Sequence, residues 1–194
     1  MSEHHWKLTD EEYEFIKGEV IHIFVMYKVK CVPVSGFEIA SRLGITLISY
    51  SSLSKGKLKA SLKASEDGFF LEIEGHEYIF YNDIDRSYER QNWTILHEIG
   101  HIVLDHNGGY SDREEAEADF FAKYAIAPPV LIHRIKAYSA QDIYDAFDIS
   151  MEAAEYAFDY YRKWRRWHLA TGKYTGYETA LLHLYEENQQ SNIA

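Results

Sequence analysis

The residues of this chain whose types and spacing best suit a chemical reaction form the pentapeptide His97-Glu98-Ile99-Gly100-His101. An α-helix turns by about 100° per residue, so His97 and His101 would lie one turn apart on the same face. Two imidazoles placed in this way can bind one zinc ion, which histidine nitrogens ligate at about 2.0–2.1 Å. Glu98 lies off that row and can reach a water at the ion, so it is the candidate general base.

The sequence around the pentapeptide predicts an amphipathic helix from about Tyr88 to His106. Leu96, Ile99 and Val103 form its apolar stripe, and Gly108-Gly109 would end it. The alternative is a solvated helix that carries two histidines and a glutamate by chance. An amphipathic helix is the setting that a metal site of this kind requires, and Gly100 leaves room beside the histidines for close packing or substrate.

A catalytic zinc site needs a third protein ligand and one open position. The next helix is acidic, and a short loop should join the two helices into an antiparallel hairpin. Glu115 and Glu117 then both lie at about the height of His101 above the hairpin tip. Asp119 lies one turn beyond Glu115 on the same face, where it can accept a hydrogen bond from a liganding imidazole. This favours Glu115 as the third ligand, with Glu117 as the alternative.

His106 follows His101 by five residues, about 140° away around a helix. We therefore expect it to miss the metal and to be hydrogen-bonded or exposed.

The remaining patterns predict the elements that would position these side chains. Capping boxes open two helices, at Thr9 with Glu12 and at Ser111 with Glu114. The stretch from Ser51 to Ser65 is rich in serine and lysine and is predicted to be an exposed, mobile connection. The expected elements are a first helix over 9–28, a short helix over 37–43, strands over 45–50, 68–74 and 77–81, a helix from 111 to Pro128-Pro129, and helical structure over 130–187.

Composition and charge exclude several classes of function. The formal net charge is −11, which argues against binding to nucleic acid or anionic membranes and suits a basic protein partner. The single cysteine, Cys31, excludes an intramolecular disulfide, fits a reducing compartment and is expected to be buried. The longest apolar run, Val20 to Tyr27, is too short for a membrane span, and no secretory signal is recognisable. We expect a soluble, cytoplasmic protein.

Several runs of this sequence resemble the ImmA/IrrE family of gluzincin-like peptidases. The resemblance spans about residues 10–165, and its most specific part lies between Ile79 and Pro128. The matching runs are 32–34, 39–45, 79–83, 89–101 and 115–122.

The resemblance implies an α+β fold with a small three-stranded sheet packed against the active helices. It also implies zinc bound by His97, His101 and Glu115, with Glu98 as the base, and it places Asp119 where such peptidases often carry asparagine or aspartate. The substrate would be a helix-turn-helix transcriptional repressor, cleaved in the cytoplasm. We expect a zincin-like peptidase domain over 1–128 and a helical region over 129–194 packed on it.

The chain departs from the family pattern at Ala125-Ile126-Ala127-Pro128, where the family usually has Leu-Leu-Met-Pro. The segment from Ser139 to Tyr161 resembles the family's helix-turn-helix-like region, with Ser150 at its turn. Its second helix is acidic, so DNA docking is not expected.

Two further segments invite functional hypotheses. The run Arg162-Lys163-Trp164-Arg165-Arg166-Trp167 alternates basic and aromatic residues, as nucleic-acid-binding clusters do. We expect instead a helix whose two tryptophans pack inward. The strand over 77–81 can be a sheet edge that aligns an extended substrate.

The sequence therefore predicts a zinc endopeptidase that acts on a DNA-binding regulator and relieves repression. The alternative is a non-catalytic repressor-binding or toxin–antitoxin component, in which the metal site is structural or vestigial. Retention of Glu98 disfavours that alternative, because a purely structural site needs no base.

Overall fold

The computed structural model describes residues 6–106 and 111–191. Gly108 and Gly109, which were predicted to end the helix of the His97–His101 pentapeptide, lie outside this part of the chain. So do the first five residues, which belong to the N-terminal segment expected to carry no secretory signal. The elements are α1 (Asp10–Met26), α2 (Gly36–Leu43), β1 (Thr46–Ser49), a 3-10 turn (Tyr50–Ser52), α3 (Lys55–Ala64), β2 (Gly68–Ile73), β3 (His76–Tyr81), α4 (Tyr88–Val103), α5 (Asp112–Ile126), α6 (Pro129–Arg134), α7 (Ala140–Phe147), α8 (Met151–Thr171) and α9 (Gly176–Ser191).

The chain divides into two compact units, each built from two stretches of sequence. The first takes residues up to Ile16 together with Ser35–Ala122, and the second takes Lys17–Val34 together with the residues from Lys123 onward. Helices α1 and α5 therefore each contribute to both units. The boundary expected between residues 128 and 129 stays a prediction.

The strands of the described residues form a mixed three-stranded sheet in the order β1-β3-β2. β1 runs parallel to β3, and β2 runs antiparallel to β3 through the two-residue turn Glu74-Gly75. Both turn residues have positive φ, 54° and 76°, as a tight hairpin requires. The α+β class with a small sheet is confirmed. The strand over 77–81 is central, because β3 pairs on both sides, so the hypothesis that it forms an edge is wrong.

Strand β2 lies directly against α4. A Cβ atom at Gly68 would lie 2.6 Å from the Phe80 carbonyl oxygen and 2.6 Å from Cγ2 of Thr94, so only glycine fits there. The apolar side chains of α4 that face inward, Ile95, Leu96 and Ile99, are completely buried. The sheet and helix thus share the core that fixes the orientation of the His97–His101 face.

Helix α5 packs on α4 at Gly100. A Cβ atom there would lie 3.1 Å from Cβ of Phe121 and 3.2 Å from Cα of Ala118. Of the two roles expected for the space beside Gly100, the structure shows close helix packing. This approach brings the acidic face of α5 to the histidines of α4.

The stretch from Ser51 to Ser65 is not a mobile connection, because most of it forms α3. Its interior combines lysine, leucine and alanine, which are good helix formers. Ser54 is the N-cap residue, without a side-chain hydrogen bond to the helix, and Ser65 is the C-cap residue. Serine is favoured at N-caps and in turns because its side chain competes for backbone hydrogen bonds. The composition therefore misled the prediction, since the serines mark the ends of a helix.

Helix α4 ends at Val103, three residues before the predicted end. Asp105 adopts a left-handed conformation with φ of 57°, its N–H donates to the Ile102 carbonyl at 3.2 Å, and the His106 N–H donates to the His101 carbonyl at 3.0 Å. This pair of bonds is a Schellman motif, which reverses the chain after a helix. His106 is therefore turned back toward His101 instead of continuing around the helix.

Asp67 joins the start of β2 to the start of α4. Its carboxylate accepts hydrogen bonds from Arg86 and Arg90, and those bonds, that to Arg90 foremost, hold the pKa of Asp67 below 3.8 against the opposing effect of burial. A lowered pKa stabilises the fold above the pH at which the unfolded carboxyl titrates, and that stabilisation is lost as pH falls through the folded pKa.

We therefore expect Asp67→Asn to lower the free energy of unfolding at pH 7 by about 1 kcal/mol. The difference from the wild type should shrink as the pH falls from about 4 through the lowered pKa of folded Asp67, below which both proteins carry a neutral side chain. Urea unfolding at several pH values measures this. Glu66→Gln is the matched control, because Glu66 is 83% exposed and should change stability by less than about 0.5 kcal/mol. A pH-independent difference for Asp67→Asn would contradict the electrostatic account.

The second unit is helical. Helix α7 begins with a capping box of Ser139 and Asp142, and Asp148, with φ of 54°, turns the chain toward α8, whose N-cap is Ser150.

Cys31 is buried, as expected. Within residues 6–106 and 111–191, no helix is both long and apolar enough to cross a membrane.

Helix α8 continues ten residues beyond the predicted end at Tyr161, to Thr171. Trp164 is half-buried, stacks on His168 and donates its indole N–H to Glu178. Trp167 is 45% exposed. The expectation that both tryptophans pack inward is therefore wrong for Trp167, which is exposed although it lies only about 60° around the helix from Trp164.

Candidate metal and catalytic site

The site is built on one turn of α4, where His97 and His101 face each other. Their Nε2 atoms are 3.0 Å apart, and their rings are inclined at 71° with centroids 4.8 Å apart. Both side chains lie largely inside the protein, with exposed fractions of 16% and 9%. The helical spacing thus brings two nitrogen donors to one point, as the sequence predicts.

Helix α5 adds a carboxylate to this pair. One oxygen of Glu115 lies 3.5 Å from Nε2 of His97, and the other lies 3.5 Å from Nε2 of His101. One donor atom from each of the three residues can be chosen so that all lie within 4.8 Å of one another. Of the two glutamates that the hairpin geometry left open, Glu115 is therefore the one whose carboxylate lies beside both histidines.

The donor set fits zinc. A tetrahedral zinc ion with ligands at 2.0–2.1 Å separates its donor atoms by roughly 3.3 Å. The two histidine nitrogens are 3.0 Å apart, each lies 3.5 Å from a different oxygen of Glu115, and one donor atom from each residue lies within 4.8 Å of the others. Two imidazoles and one carboxylate are also the ligands of known catalytic zinc sites, which keep a fourth position open. His97, His101 and Glu115 would hold the ion.

Asp119 orients His97. Its Oδ1 atom lies 3.1 Å from Nδ1 of His97, the nitrogen that faces away from the donor cluster. An acceptor at Nδ1 keeps the proton there and leaves the lone pair on Nε2. This is the position that the one-turn spacing from Glu115 predicts for an orienting carboxylate.

Glu98 is buried beside the cluster, with 8% of the residue exposed. Burial, joined by the negative charge of Glu115, raises its pKa to about 7, although the charge of His97 and a hydrogen bond from the Phe70 backbone N–H oppose the rise. A divalent cation at the histidines favours the carboxylate and lowers this pKa. Near neutral pH, Glu98 can therefore both accept a proton and give it back.

The two histidines have opposite electrostatics in the absence of an ion. Burial disfavours a charge on His97, but hydrogen bonds to Asp119 and Glu115 raise its pKa to about 9. Burial and the charge of His97 lower the pKa of His101 to about 4. Their Nε2 atoms are 3.0 Å apart, so without an ion a proton on one of them can be hydrogen-bonded to the other. A cation that binds both nitrogens would displace such a proton.

Comparison with known proteins bears on what kind of site this is. The model of peptidase family M78, described as the IrrE N-terminal-like domain, matches residues 40–159. That range is more than half of the chain and contains the three donor residues, Glu98 and Asp119. The chain belongs to this family. No curated protein matches it. The assignment confirms the resemblance to ImmA/IrrE metallopeptidases and supports a metallopeptidase-type function.

In this M78 family member, a cavity of about 600 Å³ leads to the donor cluster. Strand β2 forms one wall with Phe69 and Phe70, and α4 contributes Arg90 and Trp93. The cavity is large enough for several side chains of a peptide. β2 is also an edge of the sheet, because it pairs only with β3 among the described strands.

The alternative ligand Glu117 lies apart from the donor cluster. Its Oε2 atom is 3.0 Å from Nε2 of His106, and its Oε1 atom is 3.1 Å from Arg113. His106 in turn places Nδ1 2.8 Å from Nδ1 of His101. The expectation that His106 is hydrogen-bonded agrees with this contact.

The sequence did not identify the link between His106 and His101. A straight helix to residue 106 would place the two rings far apart, and the Schellman turn that joins them depends on left-handed backbone at Asp105. Aspartate tolerates that conformation better than most residues. Asp105, two residues after the last position of the apolar stripe, Val103, was therefore the available signal.

Proposed function

We propose that this protein is a zinc-dependent endopeptidase that cleaves a helix-turn-helix transcriptional repressor. The observation that carries the catalytic part is the convergence of His97, His101 and Glu115 beside the buried carboxylate of Glu98. A purely structural zinc site is closed by four protein ligands and needs no base. Three donors with an adjacent carboxylate suit a site that activates water.

The chemistry divides between the ion and the protein. When bound, zinc supplies Lewis-acid chemistry, polarising the scissile carbonyl and making a water molecule more acidic. Glu98 takes the proton of the attacking water and later gives it to the leaving amine. Asp119 holds His97 in the tautomer that exposes Nε2. The burial of Glu98 keeps its proton affinity high enough for both transfers.

The edge strand β2 supports the binding of an extended peptide. Among the described strands β2 pairs on one side only, and the hydrogen bond from the Phe70 N–H to Glu98 brings this strand next to the base. A substrate segment that adds to β2 would run past the donor cluster. Leu71 and Ile73, which are 44% and 49% exposed, offer apolar contacts along that strand.

The charge of the protein supports a basic protein substrate. With a formal net charge of −11, it attracts proteins whose surfaces bind DNA phosphates, and it repels DNA itself. The family resemblance supports a repressor encoded near the gene of the peptidase. The single cysteine suits action in the cytoplasm, where thiols stay reduced.

The test is to incubate the zinc-loaded protein with the helix-turn-helix repressor encoded nearest its gene and to analyse the products by mass spectrometry. We expect a discrete cut that releases the DNA-binding part of the repressor or inactivates it, and no cut after zinc is removed by a chelator. Tight binding of the intact repressor without any cleavage would contradict the proposal and favour a non-catalytic binding module.

A further inference from the structure

His101 and His106 form a buried pair of imidazoles that the proposed reaction does not use. Their Nδ1 atoms are 2.8 Å apart, and the rings meet edge to face, with centroids 5.0 Å apart at 71°. The side chain of His106 is 5% exposed, and that of its next partner, Glu117, is 13% exposed. A hydrogen bond between two buried imidazoles needs a defined proton on one of them.

The proton positions follow from the metal-binding nitrogen. If Nε2 of His101 binds the ion, its proton must be on Nδ1, because a neutral imidazole has one N–H and one lone pair. Nδ1 then donates to Nδ1 of His106, whose own proton is on Nε2. That Nε2–H donates to Oε2 of Glu117 at 3.0 Å. Each of these hydrogen bonds has one donor and one acceptor, so the series from His101 through His106 to Glu117 is complete with both imidazoles neutral.

We propose that His106 and Glu117 are positioning residues for His101, holding its ring in the tautomer and orientation that present Nε2 to the metal. This inference rests on the proposed function in one respect, that His101 binds a metal ion. It also gives Glu117 a role distinct from that of Glu115.

The two liganding histidines are then supported in parallel ways. His97 donates directly to the carboxylate of Asp119, at 3.1 Å. His101 donates to a carboxylate through one intervening ring. In metal sites, a carboxylate behind an imidazole raises the basicity of the ligand and fixes its direction. Helix α5 supplies both carboxylates as well as the third ligand.

Neighbouring contacts fix the positions of His106 and Glu117. The Schellman turn after α4 brings His106 back to His101, with the His106 N–H bonded to the His101 carbonyl at 3.0 Å. The second oxygen of Glu117 binds Arg113 at 3.1 Å, and Arg113 binds Glu12 at 2.9 Å. The carboxylate therefore cannot rotate away from His106 without breaking an ion pair.

The test measures zinc affinity by competition with a chromophoric chelator. We expect His106→Phe, which keeps a ring but removes both nitrogens, to bind zinc about 10–100-fold more weakly than the wild type. Glu117→Gln keeps an acceptor oxygen and should lose only a few-fold. The matched control is His133→Phe, because His133 is a half-buried histidine that is also hydrogen-bonded, to Tyr161. It should bind zinc like the wild type.

A second readout separates positioning from general stability. Nitrogen-15 NMR of the zinc-loaded wild type should show His101 protonated on Nδ1 and His106 protonated on Nε2. If His106→Phe does not fold, Glu117→Leu tests the same series of hydrogen bonds at its carboxylate end. This variant should also weaken zinc binding about 10-fold or more. Zinc affinity of a folded His106→Phe or Glu117→Leu protein within threefold of the wild type, or coordination through Nδ1 of His101, would overturn the inference.

The results for the wild type and for His106→Phe together distinguish a failure of the proposed function from a failure of this inference. If the wild type binds no zinc, both the proposed function and this inference are wrong. If the wild type binds zinc and cleaves its substrate, and His106→Phe binds zinc as tightly as the wild type, only the inference is wrong.

Discussion

Glu98→Gln is expected to reduce peptide cleavage by about 10²–10⁴-fold, the range that general acid–base catalysis contributes, while zinc content stays at the wild-type level. Glutamine has nearly the same shape as glutamate, so it fits the buried position and can still accept the hydrogen bond from the Phe70 backbone. It cannot take a proton from water. Product formation under single-turnover conditions measures the loss, and metal analysis of the same sample establishes the zinc content.

The matched control is Glu89→Gln, on the same helix but outside the cavity that leads to the donor cluster. We expect this variant to cleave like the wild type. Equal cleavage by Glu98→Gln would rule out Glu98 as the base. Loss of zinc along with activity would instead assign Glu98 a role in holding the metal.

Glu115→Gln is expected to weaken zinc binding several hundred-fold. Zinc sites with four protein ligands contribute about 10–16 kcal/mol, or roughly 3–4 kcal/mol for each ligand, and each 1.4 kcal/mol corresponds to a tenfold change in the dissociation constant. A neutral amide is a much poorer zinc ligand than a carboxylate. Chelator competition measures the change, and cleavage should fall in the same sample.

Neighbouring carboxylates of α5 serve as comparisons. Glu114→Gln should leave zinc affinity unchanged, because Glu114 is not part of the donor cluster. Glu117→Gln should lose only a few-fold, since its carboxylate faces His106. A large loss for Glu117→Gln together with a small loss for Glu115→Gln would show that Glu117 is the third ligand.

The parts of the site that depend on local geometry could be predicted from the sequence. Spacings of four residues on a helix place His97 with His101, and Glu115 with Asp119, whatever the rest of the fold does. The hairpin, whose helices pack closely at Gly100, left Glu115 and Glu117 as candidates, and the one-turn spacing of Asp119 from Glu115 favoured Glu115. The family resemblance supplied the three-stranded sheet.

The features that were missed depend on backbone turns and on context. Hydrophobic periodicity extended α4 to His106, because it does not detect the left-handed residue Asp105 that ends the helix. The serine-rich composition concealed α3, and the run of basic and aromatic residues did not indicate that Trp167 faces solvent. For α4 and for Trp167, the conformation or direction of a single residue overrode the pattern around it, whereas for α3 the overall composition concealed a run of good helix formers.

The central claim is that His97, His101 and Glu115 form one metal site that serves hydrolysis. The most direct measurement is the zinc content of the protein after saturation with zinc and removal of loosely bound ions, by mass spectrometry of the intact protein and by elemental analysis. The account predicts one zinc ion per chain for the wild type and for Glu98→Gln, and far less than one for His101→Ala. A wild type that retains no zinc, or a His101→Ala variant that retains a full equivalent, would contradict it.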